Sequence, residues 1–304
     1  MSELRAETLS PIDAATLWPQ LHRLDTEVIA TRGGENLLVS SGLAATGITR
    51  LPRIPRTSVV GLRRGLSYRG VAAARQLAGG AGWEVVSLRI ARPKDDEAVT
   101  ALLEALSKEV AVRQGRSLYL RYAEGSPHAA ALRMAGFFAY RLERLYALAH
   151  TGHAETAFRP ATRGDRHAIF RLYCRAVPEM VRRHEAPTQQ EFRAVLDSLD
   201  TSRDFVLDGP GRLAAWAGIG EREVYVLIDG EAGCVDATLD FIEAHAPRHG
   251  SLVITEHQPD IESAAAGREY PALGVRLMCA KRLALLNPLK EVVAVPGDSY
   301  PVPQ

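Results

Sequence analysis

Apolar and polar positions in the first half of the chain form three strand-like runs: Ser58 to Arg63, Gly70 to Leu77 and Trp83 to Ile90. Each is bounded by turn-forming residues. The turn between the last two is AGGAG, residues 78 to 82, a hairpin connection whose glycines need no ligand to explain them. A helical period then runs from Asp95 to about Gln114. The strand SLYLRY (Ser117 to Tyr122), a short helix in SPHAAALRMAG and apolar strand material from Phe137 to Leu148 follow. Upstream, Ser10-Pro11 announces a helix near Ile12 to Leu24 with Trp18 on its apolar face. A poorly patterned stretch containing Pro52 and Pro55 comes next.

The second half repeats this order. Helices are predicted from about Asp165 to Ala176 and from Thr188 to Leu199. Strands follow at Asp204 to Leu207, Arg212 to Gly218 and Glu223 to Ile228, joined by the turn sequences DGPG and GIGER. A helix from Gly233 to about His245, the strand SLVITE (Ser251 to Glu256), a short helix after Pro259 and a strand from Val275 to Leu286 complete it. The halves also align by residue. SLYLRYAEGSPHAAAL lies over SLVITEHQPDIESAAA, and ERLYAL (143 to 148) over KRLALL (281 to 286). So long a period describes a duplicated domain, not a solenoid. The expected domains are 1–152 and 153–304, with a linker from Leu148 to Pro160 and a proline-rich tail from Pro288 to Gln304.

The composition, 46% hydrophobic and 24% charged over 304 residues, is that of a soluble globular protein of two domains. No apolar run is long enough to span a membrane and the N-terminus does not read as a signal peptide, so the cytoplasm is the expected compartment. Cys174, Cys234 and Cys279 form neither a disulfide framework nor a metal pattern. The net charge of +1 hides an asymmetry: between Asn36 and Trp83 there is no acidic residue, while Arg50, Arg53, Arg56, Arg63, Arg64, Arg69 and Arg75 all occur. Such a segment attracts phosphates or nucleic acid, or pairs with the acidic second half. No aromatic interleaving or nucleic-acid motif accompanies it.

One or two helices, a three-stranded antiparallel meander, a helix, a strand, a helix and a last pair of strands: with the Arg159-Pro160-Ala161-Thr162-Arg163-Gly164-Asp165 opening, ALLEAL (101 to 106) and the short helix running into Ala135-Gly136-Phe137, this order resembles the GNAT-type N-acyltransferases. The resemblance covers nearly the whole chain as two tandem copies. It implies an α/β (α+β) fold in which each copy is a mixed, mostly antiparallel sheet flanked by helices. It also implies acetyl-CoA or another acyl-CoA as co-substrate and a small-molecule or peptide amine as acceptor. The fold often pairs, and two halves in one chain could satisfy that pairing internally, so a monomer or a homodimer is expected.

In that family the strand-to-helix loop presents small residues and free helix N–H groups to a pyrophosphate. Matched through ALLEAL, the two glycine positions fall on Glu97 and Val99 in the first half and on Gly233 and Val235 in the second. The first loop, ARPKDDEAVTALLEAL, is acidic where the helix begins. Asp95, Asp96 and Glu97 complement the helix dipole and repel a phosphate, while Arg92 and Lys94 could still reach one. The second loop, DGEAGCVDATLDF, keeps Gly230 and Gly233 beside three carboxylates, Asp229, Glu231 and Asp236, and carries no basic residue. Glu84 and Glu223, at the starts of matching strands, are the candidate catalytic bases. The family's acidic tyrosine is missing, since the corresponding positions hold Leu132 and Ser263.

No metal is expected. His150-x-x-His153 lies in the linker without partners, and Pro247 separates His245 from His249. Three functions therefore stand open: an acyltransferase working through one half, a non-catalytic scaffold that retains the fold, and an anion binder using the arginine segment.

Overall fold

The structure, a computed structural model, describes residues 5–9, 13, 17–31, 56–65, 67–149 and 157–284. Arg50, Arg53, Pro52, Pro55, His150, His153, most of the linker and the proline-rich tail lie outside the described residues. So does much of the helix expected near Ile12 to Leu24, whose described part includes a 3-10 turn, Trp18–Arg23.

The first half begins with two strands that the sequence pattern does not show, β1 (Arg5–Thr8) and β2 (Thr26–Ala30). The meander follows as β3 (Thr57–Arg64), β4 (Ser67–Gln76) and β5 (Gly82–Ile90). Helix α1 (Asp96–Val112), β6 (Ser117–Ala123), α2 (Ala129–Met134) and β7 (Phe138–Ala147) complete it. The second half contains β8 (Arg159–Pro160), α3 (Arg166–Ala176), α4 (Glu179–Glu185), α5 (Gln189–Ser198), β9 (Thr201–Gly209), β10 (Arg212–Gly220) and β11 (Glu223–Ile228). It ends with α6 (Val235–His245), β12 (Ser251–Thr255), α7 (Pro259–Gly267) and β13 (Ala272–Arg282). Helix α4 is also new relative to the sequence reading. Its seven residues, EMVRRHE, offer a single well-buried apolar side chain, Val181, too little for a visible period.

Among the described residues thirteen strands form one sheet in the order β1-β3-β4-β5-β6-β13-β7-β12-β11-β10-β9-β8, with β2 on a side branch against β5. The halves exchange their last strands. β13 inserts between β6 and β7, and β7 pairs with β12, so each half closes on the other's final strand. Leu142 faces Leu277 near the middle of the β7–β13 pair. Leu120 faces Cys279 just as Ile254 faces Arg144. Arg144 is thus the counterpart of Cys279, and the alignment of ERLYAL with KRLALL is out of step with the strands.

Alternation along the strands separates the cores. Val224, Val226, Leu252 and Ile254 pack with α6 and α7 through Leu239, Phe241, Ile242, Ile261 and Ala265. Tyr225 and Val253 point to the other face and pack with Tyr173 and Phe192 of α3 and α5. In the first half Val99, Leu102, Leu103, Leu106 and Val110 form one stripe of α1 against the sheet, as the helical period predicts. Trp83 and Trp216 are both fully buried. The opening RPATRGD is a local lock. Arg159 donates twice to Asp165 at 2.9 Å, and the Asp165 carboxylate accepts from the Thr162 N–H at 2.7 Å.

Candidate active site

In each half two parallel strands pair briefly and then part. β5 pairs with β6 only over Gly82–Glu84 and Ser117–Tyr119, and β11 with β12 only over Glu223–Tyr225 and Ser251–Val253. The edges beyond those pairs flank a cleft. In the first half the cleft is filled by the chain itself. β2 runs antiparallel along β5, with Thr26 opposite Ile90 and Ala30 opposite Ser87, and it also lies near β6. The Thr31 N–H extends the contact to the Val86 carbonyl at 2.8 Å, and Ile29 joins the first-half core. In the second half, among the described residues, β10 still pairs with β11 past Tyr225, but no strand pairs with the β11 edge that faces β12.

The loops differ as well. At the first, Asp95 caps α1 by accepting the Ala98 N–H at 3.1 Å and pairs with Arg69. Asp96 contacts His128 at 2.9 Å. The acidic start is a built helix cap. Replacing Asp95 with alanine is expected to lower stability by about 1–2 kcal/mol, since both cap and ion pair are lost, as measured by denaturant unfolding. Arg92 and Lys94 are exposed on the loop ahead of this helix.

At the second loop a Cβ added to Gly230 or to Gly233 would meet nothing within 4 Å, and Gly233 has a positive φ of 59°. Val235 opens helix α6. The basic groups that the loop lacks in sequence arrive from elsewhere. Arg175 of α3 and Arg212 of β10 bind the buried Asp229 carboxylate at 2.9 and 3.1 Å. Arg212 also holds Glu231 at 2.8 Å, and Arg268, just past α7, holds Asp236 at 3.1 Å. Every carboxylate that would repel an anion here has a guanidinium partner.

The two glutamates meet in one buried ion network at the junction of the halves. Glu84 accepts from Arg121 at 2.5 Å and from Arg75 at 3.0 Å. Arg121 approaches Glu143 at 3.8 Å, and Glu143 also accepts from Arg141 at 2.6 Å and from Arg276 at 2.5 Å. Arg276 in turn donates to both oxygens of Glu223, at 2.7 and 3.0 Å, and the Tyr225 hydroxyl donates to Glu223 too. Glu185, on α4, accepts from Arg141 and from the Tyr173 hydroxyl. Burial raises the pKa of Glu223, but the hydrogen bonds and charge of Arg276 and the Tyr225 hydroxyl outweigh it and leave the group below the ordinary carboxylate range. The parallel register also sets Gly82 opposite Ser117 and Glu223 opposite Ser251. Glu84 therefore corresponds to Tyr225, not to Glu223.

A group absent from the sequence reading stands where β12 ends. The Thr255 hydroxyl donates to Gln258 Oε1 at 3.0 Å and contacts His257 Nε2 at 3.1 Å. With the Gln258 amide oriented this way the hydroxyl's one proton is used on Oε1, and Nε2 is the donor in the His257 contact. Neutral His257 then carries a bare Nδ1, which is buried and without a hydrogen-bond partner, as is Gln258 Nε2. Burial, and then the Arg141 guanidinium, pull the His257 pKa down to about 4 against the opposing pull of Glu143. The only sequence signal was a histidine inside a stretch aligned for its strand and helix.

No protein-family profile matches the sequence, and no curated protein does. Solved structures do. The chain is similar, at 13% identity and a TM-score of 0.50, to a tandem GNAT protein from the clavulanic acid biosynthesis pathway, over 92% of this chain and 98% of that one. The chain has the tandem GNAT fold. A GCN5-related N-acetyltransferase from Sphaerobacter thermophilus matches at 11% identity and a TM-score of 0.50, over 92% of this chain and 95% of that one. A candidate acetyltransferase from Pyrococcus horikoshii matches at 9% identity and a TM-score of 0.52, over 93% and 90%. At these identities the GNAT likeness speaks for architecture, and the site must speak for activity. Of the tyrosine positions the family would use, Leu132 is buried in the first-half core and Ser263 is exposed on α7. Among the described residues no group of three or more His, Cys, Asp or Glu could hold a metal, and no helix is long and apolar enough to cross a membrane.

Proposed function

We propose that the protein is an acyl-CoA-dependent N-acyltransferase with one working site, the cleft between β11 and β12, and an amine of small-molecule or peptide type as acceptor. The observation that carries this reading is the asymmetry of the clefts: β2 covers the β5 edge, while the β11 edge facing β12 is free of any described strand past Tyr225. The residues present fit the co-substrate. Open space over Gly230 and Gly233 admits a pyrophosphate to the start of α6, and Arg175 and Arg212 stand beside it. When bound, the thioester supplies the acyl group. The first half contributes β7, which places Arg141 and Glu143 against the second half's β12 and β13. On this reading Glu84 and Glu223 organise arginines, because their carboxylate oxygens are already taken up by guanidinium donors.

Full ion pairing of both glutamates also favours the scaffold reading, and one experiment separates the two. Calorimetric titration with acetyl-CoA is expected to give micromolar binding with one equivalent per chain, since the first cleft is occupied. Two equivalents would overturn the assignment to one half. No heat up to about 1 mM, an affinity weaker than about −4 kcal/mol, would leave the scaffold.

A further inference from the structure

We propose that His257 is the proton acceptor of the second-half cleft, receiving on Nδ1 the proton released when an amine is acylated there. The inference rests on the acyltransferase reading and adds a residue to it. Past Val253, β12 has lost β11 as a neighbour, so Thr255 borders the cleft and His257 follows at the strand's end. The Thr255–Gln258 pair fixes the ring with Nε2–H engaged and the lone pair of Nδ1 free. The charged groups acting on the ring are Arg141 and Glu143 of β7, across the strand pair from Thr255. Arg141 is shared between Glu143 and Glu185, so it repels a proton on His257 without being free to bind substrate itself. The ring is thereby neutral at physiological pH, so Nδ1 presents a lone pair and not a proton.

The alternatives within reach are engaged. Glu223 is tied to Arg276 and Tyr225, and the Tyr225 hydroxyl donates to Glu223. Burial raises the Tyr225 pKa, against the opposing charges of Arg276 and Arg121, which keeps its proton in place. In the step itself the amine nitrogen forms a bond to the thioester carbonyl carbon, and the carbon–sulfur bond breaks with its electron pair going to sulfur. The proton lost by nitrogen passes to Nδ1, and from there to the departing thiolate or to water.

Water can replace the unknown amine, so the test needs no acceptor screen. Full-length wild type and His257→Gln are titrated with acetyl-CoA, and thiol release by hydrolysis is followed from pH 5 to 9. Wild type is expected to release thiol at a rate nearly independent of pH above about 5. The variant should bind with unchanged affinity and melting temperature, and release thiol at least 100-fold more slowly at pH 7. Its residual rate should climb tenfold per pH unit as hydroxide takes over. His257→Asn serves as a second variant should the first not fold. A variant rate within twofold of wild type, with the same pH profile, overturns the role of His257 while acetyl-CoA binding leaves the wider reading intact. A bound wild type that hydrolyses no faster than solution also overturns it. Absence of acetyl-CoA binding to wild type removes both.

Discussion

Glu143→Gln is expected to lower the stability of the folded chain by about 3–5 kcal/mol, the cost of leaving buried charges without their counter-ion. Glu143 is fully buried and sits among three arginines, Arg121 and Arg141 from the first half and Arg276 from the second. Burial alone would raise its pKa, but those three guanidinium groups hold it below the usual carboxylate range. Glutamine keeps the shape and removes the charge. Thermal or denaturant unfolding reads the loss directly, and a double-mutant cycle with Arg276→Leu should show strong non-additivity because the two groups share one network. A loss under about 1 kcal/mol would mean that the arginines find other partners or water. The same network gives a pH dependence. Because Glu143 binds its proton less readily folded than unfolded, its contribution is present above the ordinary carboxylate pKa of about 4.3 and is lost as pH falls below it. His257 acts earlier with the same sign: stability should begin to fall below about pH 6.5 and go on falling towards its folded pKa of about 4.

The second large effect is functional. Gly233→Glu is expected to weaken acetyl-CoA binding about a thousandfold, because a carboxylate about 4 Å from a phosphate near a protein surface costs roughly 4 kcal/mol. The substitution suits the test. Its Cβ meets nothing within 4 Å, so no neighbour must move, although the positive φ adds about 1–2 kcal/mol of strain. The control is the double variant Arg92→Ala, Lys94→Ala, whose exposed side chains lie ahead of α1 in the half whose cleft is filled. Calorimetry should show unchanged affinity there. Binding that survives Gly233→Glu but fails in the control would move the site to the first half, with β2 displaced.

The corrections between sequence and structure share a cause. Asp95 was readable as a helix cap because the cap bond to Ala98 spans three residues. The stripe Leu102, Leu103, Leu106 and Val110 was readable because it repeats along α1. β2 was not, because only one of its five residues, Ile29, is buried, and what makes TEVIA a strand is the edge of β5. Nor was it visible that the DGEAGC loop is basic-assisted, since Arg175 and Arg212 reach Asp229 from separate elements. His257 became a candidate only when Thr255, Gln258 and Arg141 surrounded it.

By itself the sequence determined most of the helices and strands (β1, β2 and α4 excepted), that the pattern occurs twice, and that the first loop is a capped helix start. These follow from periodicity and from contacts a few residues long. Tertiary structure decided which cleft stays free, where the last strands go, and which carboxylates face arginines. Strand edges and buried charges take their partners from across the sheet, and no local pattern records that choice.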